Sequence, residues 1–335
     1  MRIIVNGNEI EVTGQRVLIE ELRERGLHIP SLCYNSEAKH QASCMVCMVK
    51  DVKSGQMIPS CSTFPYEGMD IDTESEEVVE MRKMGLELLL SDHRADCEAP
   101  CSIVCPAKID VAQILLNIDR EQTEKAYTLL ASAVDVHNIP CTDCKAPCEK
   151  ACRRGAVDKC VDIRKIITEL SQLKIENGKL KMDSGKDNFQ LSTFNFQLHK
   201  YASKLGRYTD TEKEWLRENY TQQSHCLHCA CEGKEKCQLR ECASEAKIKS
   251  SRYGVSSHQQ VKVQIHLNGR LYFEPAKCIR CGLCVYNFQN GFTFMYRGFD
   301  MQVVIPEENK NNVDEEIADL CPTGALFVRK LRDDE

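Results

Sequence analysis

The chain has 335 residues, 42% of them apolar, with 21 cysteines and a formal charge of -6. That charge leaves no basic footprint for nucleic acid; no apolar run approaches membrane-spanning length, and Met1-Arg2-Ile3-Ile4 opens a strand rather than a signal peptide. The cysteines are odd in number and grouped at spacings of two or three residues, which reads as metal ligation in a reducing cytoplasm rather than as disulfides.

Ile3 to Val12 alternates around Asn6-Gly7, the strongest short hairpin signal. Val17 to Arg25 reads as a short amphipathic helix stopped by Gly26. A hairpin followed by a helix suggests a β-grasp domain over residues 1–75. It carries Cys33, Cys44, Cys47 and Cys61, separated by ten, two and thirteen residues. Four thiolates on the loops of a small β domain hold either zinc or a 2Fe-2S cluster.

The run HIPSLCYNSE, the ASCMVCMVKDV segment and the single later cysteine in PSCSTF resemble the N-terminal 2Fe-2S domain shared by the large iron-sulfur subunit of complex I and many iron-only hydrogenases. The resemblance covers Met1 to about His93, and departs from plant ferredoxins, whose first two cysteines are closer together. It implies a 2Fe-2S cluster on Cys33, Cys44, Cys47 and Cys61. It also implies a helix ending in a leucine run, which Val78 to Asp92 with LLLSDHRADC follows, and a cluster ligand at His93.

Residues 76–174 read as a small α-helical hub. Cys97, Cys101 and Cys105 fall at i, i+4 and i+8, and Cys144, Cys148 and Cys152 repeat that comb. Soft thiolates select zinc, copper(I) or iron-sulfur clusters, and Cys105-Pro106 is the pairing that ends ferredoxin-type runs; two 4Fe-4S clusters are the economical reading. Between the combs Ile109 to Ile118 and Glu121 to Ser132 read as helices, and Ile163, Ile166, Ile167, Leu170 and Leu173 mark the apolar face of a third.

From Asp96 to about Ile167, DCEAPCSIVCPAKIDV and IPCTDCKAPCEKACRRGAVDKCVDI resemble the cluster domain of the small subunit of glutamate synthase and of dihydropyrimidine dehydrogenase. There two 4Fe-4S clusters take ligands crosswise. The resemblance implies Cys97, Cys101 and Cys152 for the first, and Cys105, Cys144 and Cys148 for the second. The family's first cysteine is replaced by Arg94, which has no lone pair to offer; His93 is next to that gap, and the resemblance of the N-terminal region implies it as the fourth ligand of the first, a surface or capping histidine being the alternative. The second's fourth ligand, an oxygen side chain in the relatives, aligns with Ile167; Cys160, or else Cys141, takes its place.

Residues 175–223 turn polar and read as a linker or arm, with a helix at Glu212 to Glu218. Their aromatics, Phe189 to Tyr220, are expected to pack over the hub or against a partner subunit. A Cys-rich segment at 224–257 holds Cys226, Cys229, Cys231, Cys237 and Cys242. Cys226-x2-Cys229 is a metal knuckle that Cys231 and Cys237 could complete, for 4Fe-4S or zinc; His225 and His228 read as bystanders. The segment resembles one in iron-sulfur chains that accompany bacterial flavin oxidoreductases. Residues 258–335 read as a ferredoxin-like α+β domain. Val261 to Leu267 alternates like a strand, then Cys278, Cys281 and Cys284 form a ferredoxin triplet with Cys321-Pro322 as distant fourth ligand. The YRGFDMQVVIP stretch is the strand region expected to close over that single 4Fe-4S cluster.

The sequence thus reads as an α+β multidomain chain with one 2Fe-2S and three or four 4Fe-4S clusters, and zinc as the alternative at the Cys226 group. No G-x-G-x-x-G follows a strand and no G-x-x-x-x-G-K-[ST] occurs, so neither a flavin nor an NAD site is visible, and no catalytic residue is assigned. The function expected is a non-catalytic electron-transfer subunit of an oxidoreductase complex of the NAD(P)H dehydrogenase, hydrogenase or formate dehydrogenase type. Its partners would be a flavoprotein oxidising NAD(P)H and other redox subunits, met separately by the 2Fe-2S domain at one end and the ferredoxin-like site at the other. The alternative is a redox- or iron-sensing regulatory protein.

Overall fold

In the computed structural model Asn6 and Gly7 both turn through the left-handed region, with φ of 50° and 79°. That matches the twist a two-residue hairpin needs. β1 (Arg2–Val5) and β2 (Asn8–Glu11) therefore pair antiparallel, Val5 opposite Asn8. α1 (Leu18–Glu24) ends before Gly26. β3 (Met48–Asp51), β4 (Met57–Pro59) and β5 (Asp70–Asp72) complete a five-stranded sheet in the order β2-β1-β5-β3-β4, with β1 and β5 parallel. Leu18, Ile19 and Leu22 of α1 pack on Ile3, Val5, Val49 and Ile71, the buried alternate positions of the strands. α2 (Glu76–Asp92) follows, burying Val78, Gly85 and Leu86.

The structure describes residues 1–93, 96–176, 179–181, 210, 213, 214, 225–248, 252, 253, 264–288 and 291–329. They form two compact units. One joins Met1–Ala95 to Glu232–Glu335, and the other is Asp96–Cys231. The segments read in chain order are thus regrouped: the N-terminal domain and the C-terminal ferredoxin-like segment belong to one unit. Of the helix expected at Glu212 to Glu218, residues 213 and 214 are described and the rest lie outside the described residues, as do the aromatics from Phe189 to Tyr220 and residues 261–263 of the expected strand.

The Asp96–Cys231 unit is helical. α3 (Pro100–Ile103) and α6 (Pro147–Ala151) each begin on a proline, whose fixed φ and missing N–H suit the first turn. α4 (Val111–Asp119) is capped by the Asp110 carboxylate, which accepts from the Gln113 N–H. α5 (Thr123–Ala133) and α7 (Ile163–Ser171) turn Ala126, Leu130, Ile163, Ile167 and Leu170 toward Ile114, Leu115 and Ile118. A short hairpin, β6 (Lys174–Glu176) with β7 (Lys179–Lys181), follows.

The chain then returns to the first unit. α8 (Gln238–Glu245) buries Leu239 and Cys242. β8 (Ile265–His266), β9 (Leu271–Phe273) and β12 (Leu326–Val328) make a three-stranded sheet in the order β12-β9-β8. α9 (Leu283–Asn287) and α10 (Ile317–Leu320) are short helices, and β10 (Thr293–Met295) pairs with β11 (Gln302–Val304). Phe273, Phe292, Val303, Ile317 and Leu326 form the core beneath them.

Candidate metal centres

The first thiol ring lies on the loops of the N-terminal sheet. Cys33, Cys44, Cys47 and Cys61 are all buried, and the Cys33 and Cys44 sulfurs are 3.4 Å apart. Met45 turns through φ 56°, so the chain reverses between Cys44 and Cys47. Hydrogen bonding with Cys44 and Cys61 pushes the Cys33 thiol down to about 2, and that with Cys61 pushes Cys47 down to about 6. Cys44 and Cys61, coupled to them, are pushed up. Thiols that share protons this way ionise together only when a cation replaces the protons. His40 meets the Cys61 carbonyl at 3.1 Å, and its ring lies edge-on to Tyr34.

The second ring closes on the C-terminal part of the same unit. Cys278, Cys281, Cys284 and Cys321 line one small cavity with Phe273, Leu283 and Val303. Val303 on β11 comes from the stretch expected to close over this site. Arg280 at φ 54° and Gly282 at φ 82° bend the triplet around the cavity, and the Arg280 N–H donates to the Cys278 sulfur at 3.4 Å. Burial pushes Cys278 up to about 12 and raises Cys281 and Cys284 as well. Below the triplet, Lys277 and Glu274 form a fully buried ion pair at 2.7 Å. His93, at the end of α2, is pushed down to about 4 by burial and by the Lys277 ammonium, so it is a neutral imidazole at neutral pH.

These two rings are neighbours, contrary to the expectation that they sit at opposite ends. Cys33, Cys44, Leu86, Cys237, Cys242, Cys281 and Leu283 share one buried apolar cluster, and the charge on Cys33 bears on Cys281. The loop after Cys33 is tied to α9 by a reciprocal pair. The Lys39 N–H donates to the Asn287 side chain, which donates back to the Lys39 carbonyl, both at 2.8 Å. The Gln41 amide reaches the Tyr286 hydroxyl at 2.5 Å. No local signal announced this: the partners are 248 positions apart, and neither Asn287 nor Tyr286 belongs to a motif.

In the helical unit a cavity of about 400 Å³ is lined by Cys105, Cys141, Cys144 and Cys148, with Pro106, Pro140, Ile163 and Ile167. Cys141, rather than Cys160, shares it. Ile167, the position aligned with the oxygen ligand of the glutamate synthase type, lines the cavity as an apolar wall. Cys160 lies beside Gly155, and burial raises its thiol. Cys101 and Cys152 pack on the same core as Cys226 and Cys229, whereas Cys97 is exposed.

The Cys226 group divides between the units. Cys226, Cys229 and Cys231 belong to Asp96–Cys231, while Cys237 precedes α8 in the other unit. Cys242, unassigned from sequence, is pushed up to about 11 by burial. His225 and His228 are tethers: His225 pairs with Asp158 at 3.3 Å and His228 with Asp119 at 2.7 Å. Among the described residues no three His, Cys, Asp or Glu side chains converge as the shell of a single metal ion.

The N-terminal fold and its thiol ring define a ferredoxin-type iron-sulfur domain, and residues 1–76 match the family described as a 2Fe-2S iron-sulfur cluster binding domain. The chain is similar to the G chain of the NADH-quinone oxidoreductase of Rickettsia typhi, 31% identical over 97 residues, 29% of this chain and 14% of that protein. It is also similar to the HndD chain of the NADP-reducing hydrogenase of Solidesulfovibrio fructosivorans, 35% identical over 102 residues, 29% of this chain and 17% of that one. The gamma chain of the NAD-reducing hydrogenase HoxS of Cupriavidus necator is 28% identical over 97 residues, 29% of this chain and 41% of that protein. The matches thus span between 14% and 41% of these relatives. In fold, the chain resembles a chain of an NAD+-reducing [NiFe]-hydrogenase crystal structure in the H2-reduced state. The TM-score is 0.53 at 13% identity, covering 100% of this chain and 89% of that one. Among the described residues no helix is long and apolar enough to cross a membrane.

Proposed function

We propose that this chain is a cytoplasmic electron-transfer subunit that relays single electrons through several iron-sulfur clusters, to or from a flavoprotein that oxidises NAD(P)H. The ligand sets are Cys33, Cys44, Cys47 and Cys61 for a 2Fe-2S cluster, and Cys278, Cys281, Cys284 and Cys321 for a 4Fe-4S cluster. Cys105, Cys141, Cys144 and Cys148 hold another 4Fe-4S cluster in the helical unit. The thiols surround a volume rather than a point, which favours a cluster over one zinc ion. The imidazole of His93 is left out of these ligand sets: it belongs to the unit of the two rings, whereas Cys97, Cys101 and Cys152 belong to the other.

The observation that carries the relay is the shared apolar cluster of Cys33, Cys44 and Cys281. A catalytic or sensing site needs one centre, whereas two cluster cages walled by the same buried side chains make a short path for an electron. Bound clusters supply the one-electron chemistry; the protein excludes water from them and, through burial and hydrogen bonds to sulfur, sets their potentials.

Two measurements test this. Anaerobically purified chain should contain about 10 iron atoms from these three clusters with matching sulfide, about 14 with a third 4Fe-4S cluster and about 18 with a fourth. On full reduction the 2Fe-2S EPR signal should be broadened by its reduced neighbour and relax fast, and Cys284→Ser should abolish that effect. Iron of about four per chain with zinc elsewhere, or reduced centres that relax independently, would overturn the relay.

A further inference from the structure

We propose that Cys226 and Cys229, carried on a distant segment, join Cys101 and Cys152 as the four ligands of one 4Fe-4S cluster inside the Asp96–Cys231 unit. The inference rests on the iron-sulfur reading above and assigns a set that neither comb supplies alone.

The geometry begins with how the segment is held. The His228 imidazole meets the Asp119 carboxylate at the end of α4, 2.7 Å apart and both almost inaccessible. His225 reaches Asp158, 3.3 Å away, which in turn holds the buried Arg154 guanidinium through two bonds of 2.6 Å. Ala230 forms a parallel bridge with Asp96, and the Cys231 N–H donates to the Cys97 carbonyl at 3.4 Å. Asp96 is itself gripped by Arg153, with two bonds of 3.1 Å. Both histidines are therefore anchors on either side of Cys226, and the segment is fastened to the residues flanking Cys101 and Cys152.

The local backbone has the form of a cluster knuckle. His225 and His228 turn through φ of 59° and 46°, each immediately before a thiol. The His228 N–H donates to the Cys226 sulfur at 3.3 Å, as the Arg280 N–H does to Cys278 at 3.4 Å. Arg280 occupies the same left-handed position before Cys281. Left-handed backbone is uncommon outside glycine, so its recurrence at the equivalent place in two Cys-x-x-Cys segments ties the Cys226 knuckle to the ferredoxin-type one.

The four thiols also share one core. All four lie on one apolar core, a setting that suits the weakly solvated cubane.

The test is non-additivity of iron loss in the full, anaerobically reconstituted chain. The pair variant Cys226→Ser/Cys229→Ser should contain about four irons fewer than the parent, and Cys101→Ser/Cys152→Ser the same four. The quadruple variant should lose about four, not about eight. A quadruple loss of about eight irons, or a first pair that loses zinc or nothing, would overturn the assignment. Parent iron of about four per chain would instead defeat the broader iron-sulfur reading. Single variants guard against misfolding: Cys229→Ser and Cys152→Ser, each with circular dichroism matching the parent, should alter the same 4Fe-4S EPR signal. Changes in two different signals would count against the shared cluster.

Discussion

Glu21 is fully buried in the N-terminal core and still ionised. Burial raises its carboxyl, but hydrogen bonds from Thr13 and Gly14 and the charge of Arg25 outweigh that, and the net shift is down. A carboxyl lowered on folding adds stability above its unfolded value of about 4.3 and loses it as pH falls through the folded value. Glu21→Gln should therefore unfold more easily at neutral pH, by about 1–3 kcal/mol for partly unsatisfied donors. The gap between parent and variant should narrow as pH drops below about 4, read by denaturant titration of the far-ultraviolet circular dichroism. A gap that widens in acid would contradict the assignment. At the same scale Cys141 and Cys160 differ sharply. Cys141→Ser should cost the helical unit about four irons, whereas Cys160→Ser should cost none; the reverse pattern in iron analysis would return Cys160 to the ligand set.

At the scale of elements, α2 approaches the first thiol loop at a glycine. A Cβ on Gly85 would lie 3.2 Å from the Cys44 carbonyl oxygen and 3.3 Å from that of Met45. The helix therefore gives up the better propensity of alanine, about 0.8–1.0 kcal/mol, to lie on the loop backbone. Gly85→Val should shift that loop and destabilise the domain by about 1–3 kcal/mol. Loss of the 2Fe-2S visible circular dichroism on mild heating, with iron in the helical unit retained, is the expected readout. Gly282 is the corresponding point in the C-terminal ring. At φ 82°, an added Cβ would meet the Tyr286 ring at 2.6 Å, so Gly282→Ala should lower iron occupancy there while leaving the 2Fe-2S spectrum intact.

For the whole molecule, the grouping of N- and C-terminal rings in one unit bears on how electrons enter. Splitting a hydride into single electrons requires a flavin or an equivalent cofactor, and no motif in the chain offers one. Dithionite should bleach the reconstituted chain rapidly, whereas NADH and NADPH under anaerobic conditions should leave its visible spectrum unchanged until a flavoprotein partner is added. Rapid bleaching by either nucleotide alone would place a flavin-like site on this chain and overturn the relay as drawn.

The thiol groups themselves were legible in the chain because the residues of one small loop are local. Cys44 with Cys47, and Cys278 with Cys281 and Cys284, are set by short spacings that only a tight turn can satisfy. The Asn6-Gly7 hairpin and the helix before Gly26 were readable for the same reason, since turn chemistry and apolar period act over a few residues. Which distant cysteines meet was not legible. The sequence favoured Cys160 over Cys141, but Cys141 lies on the cavity, because the loop at Pro140, α6 with Cys148 and α7 with Ile163 and Ile167 fold around it. Cys226 and Cys229 read as the start of a separate group, yet His225 and His228, taken as bystanders, anchor them to Asp158 and Asp119. Likewise the placement of Cys33 beside Cys281 depends on packing between segments far apart in sequence. Local spacing constrains a loop; only the burial of apolar faces decides which loops share a core.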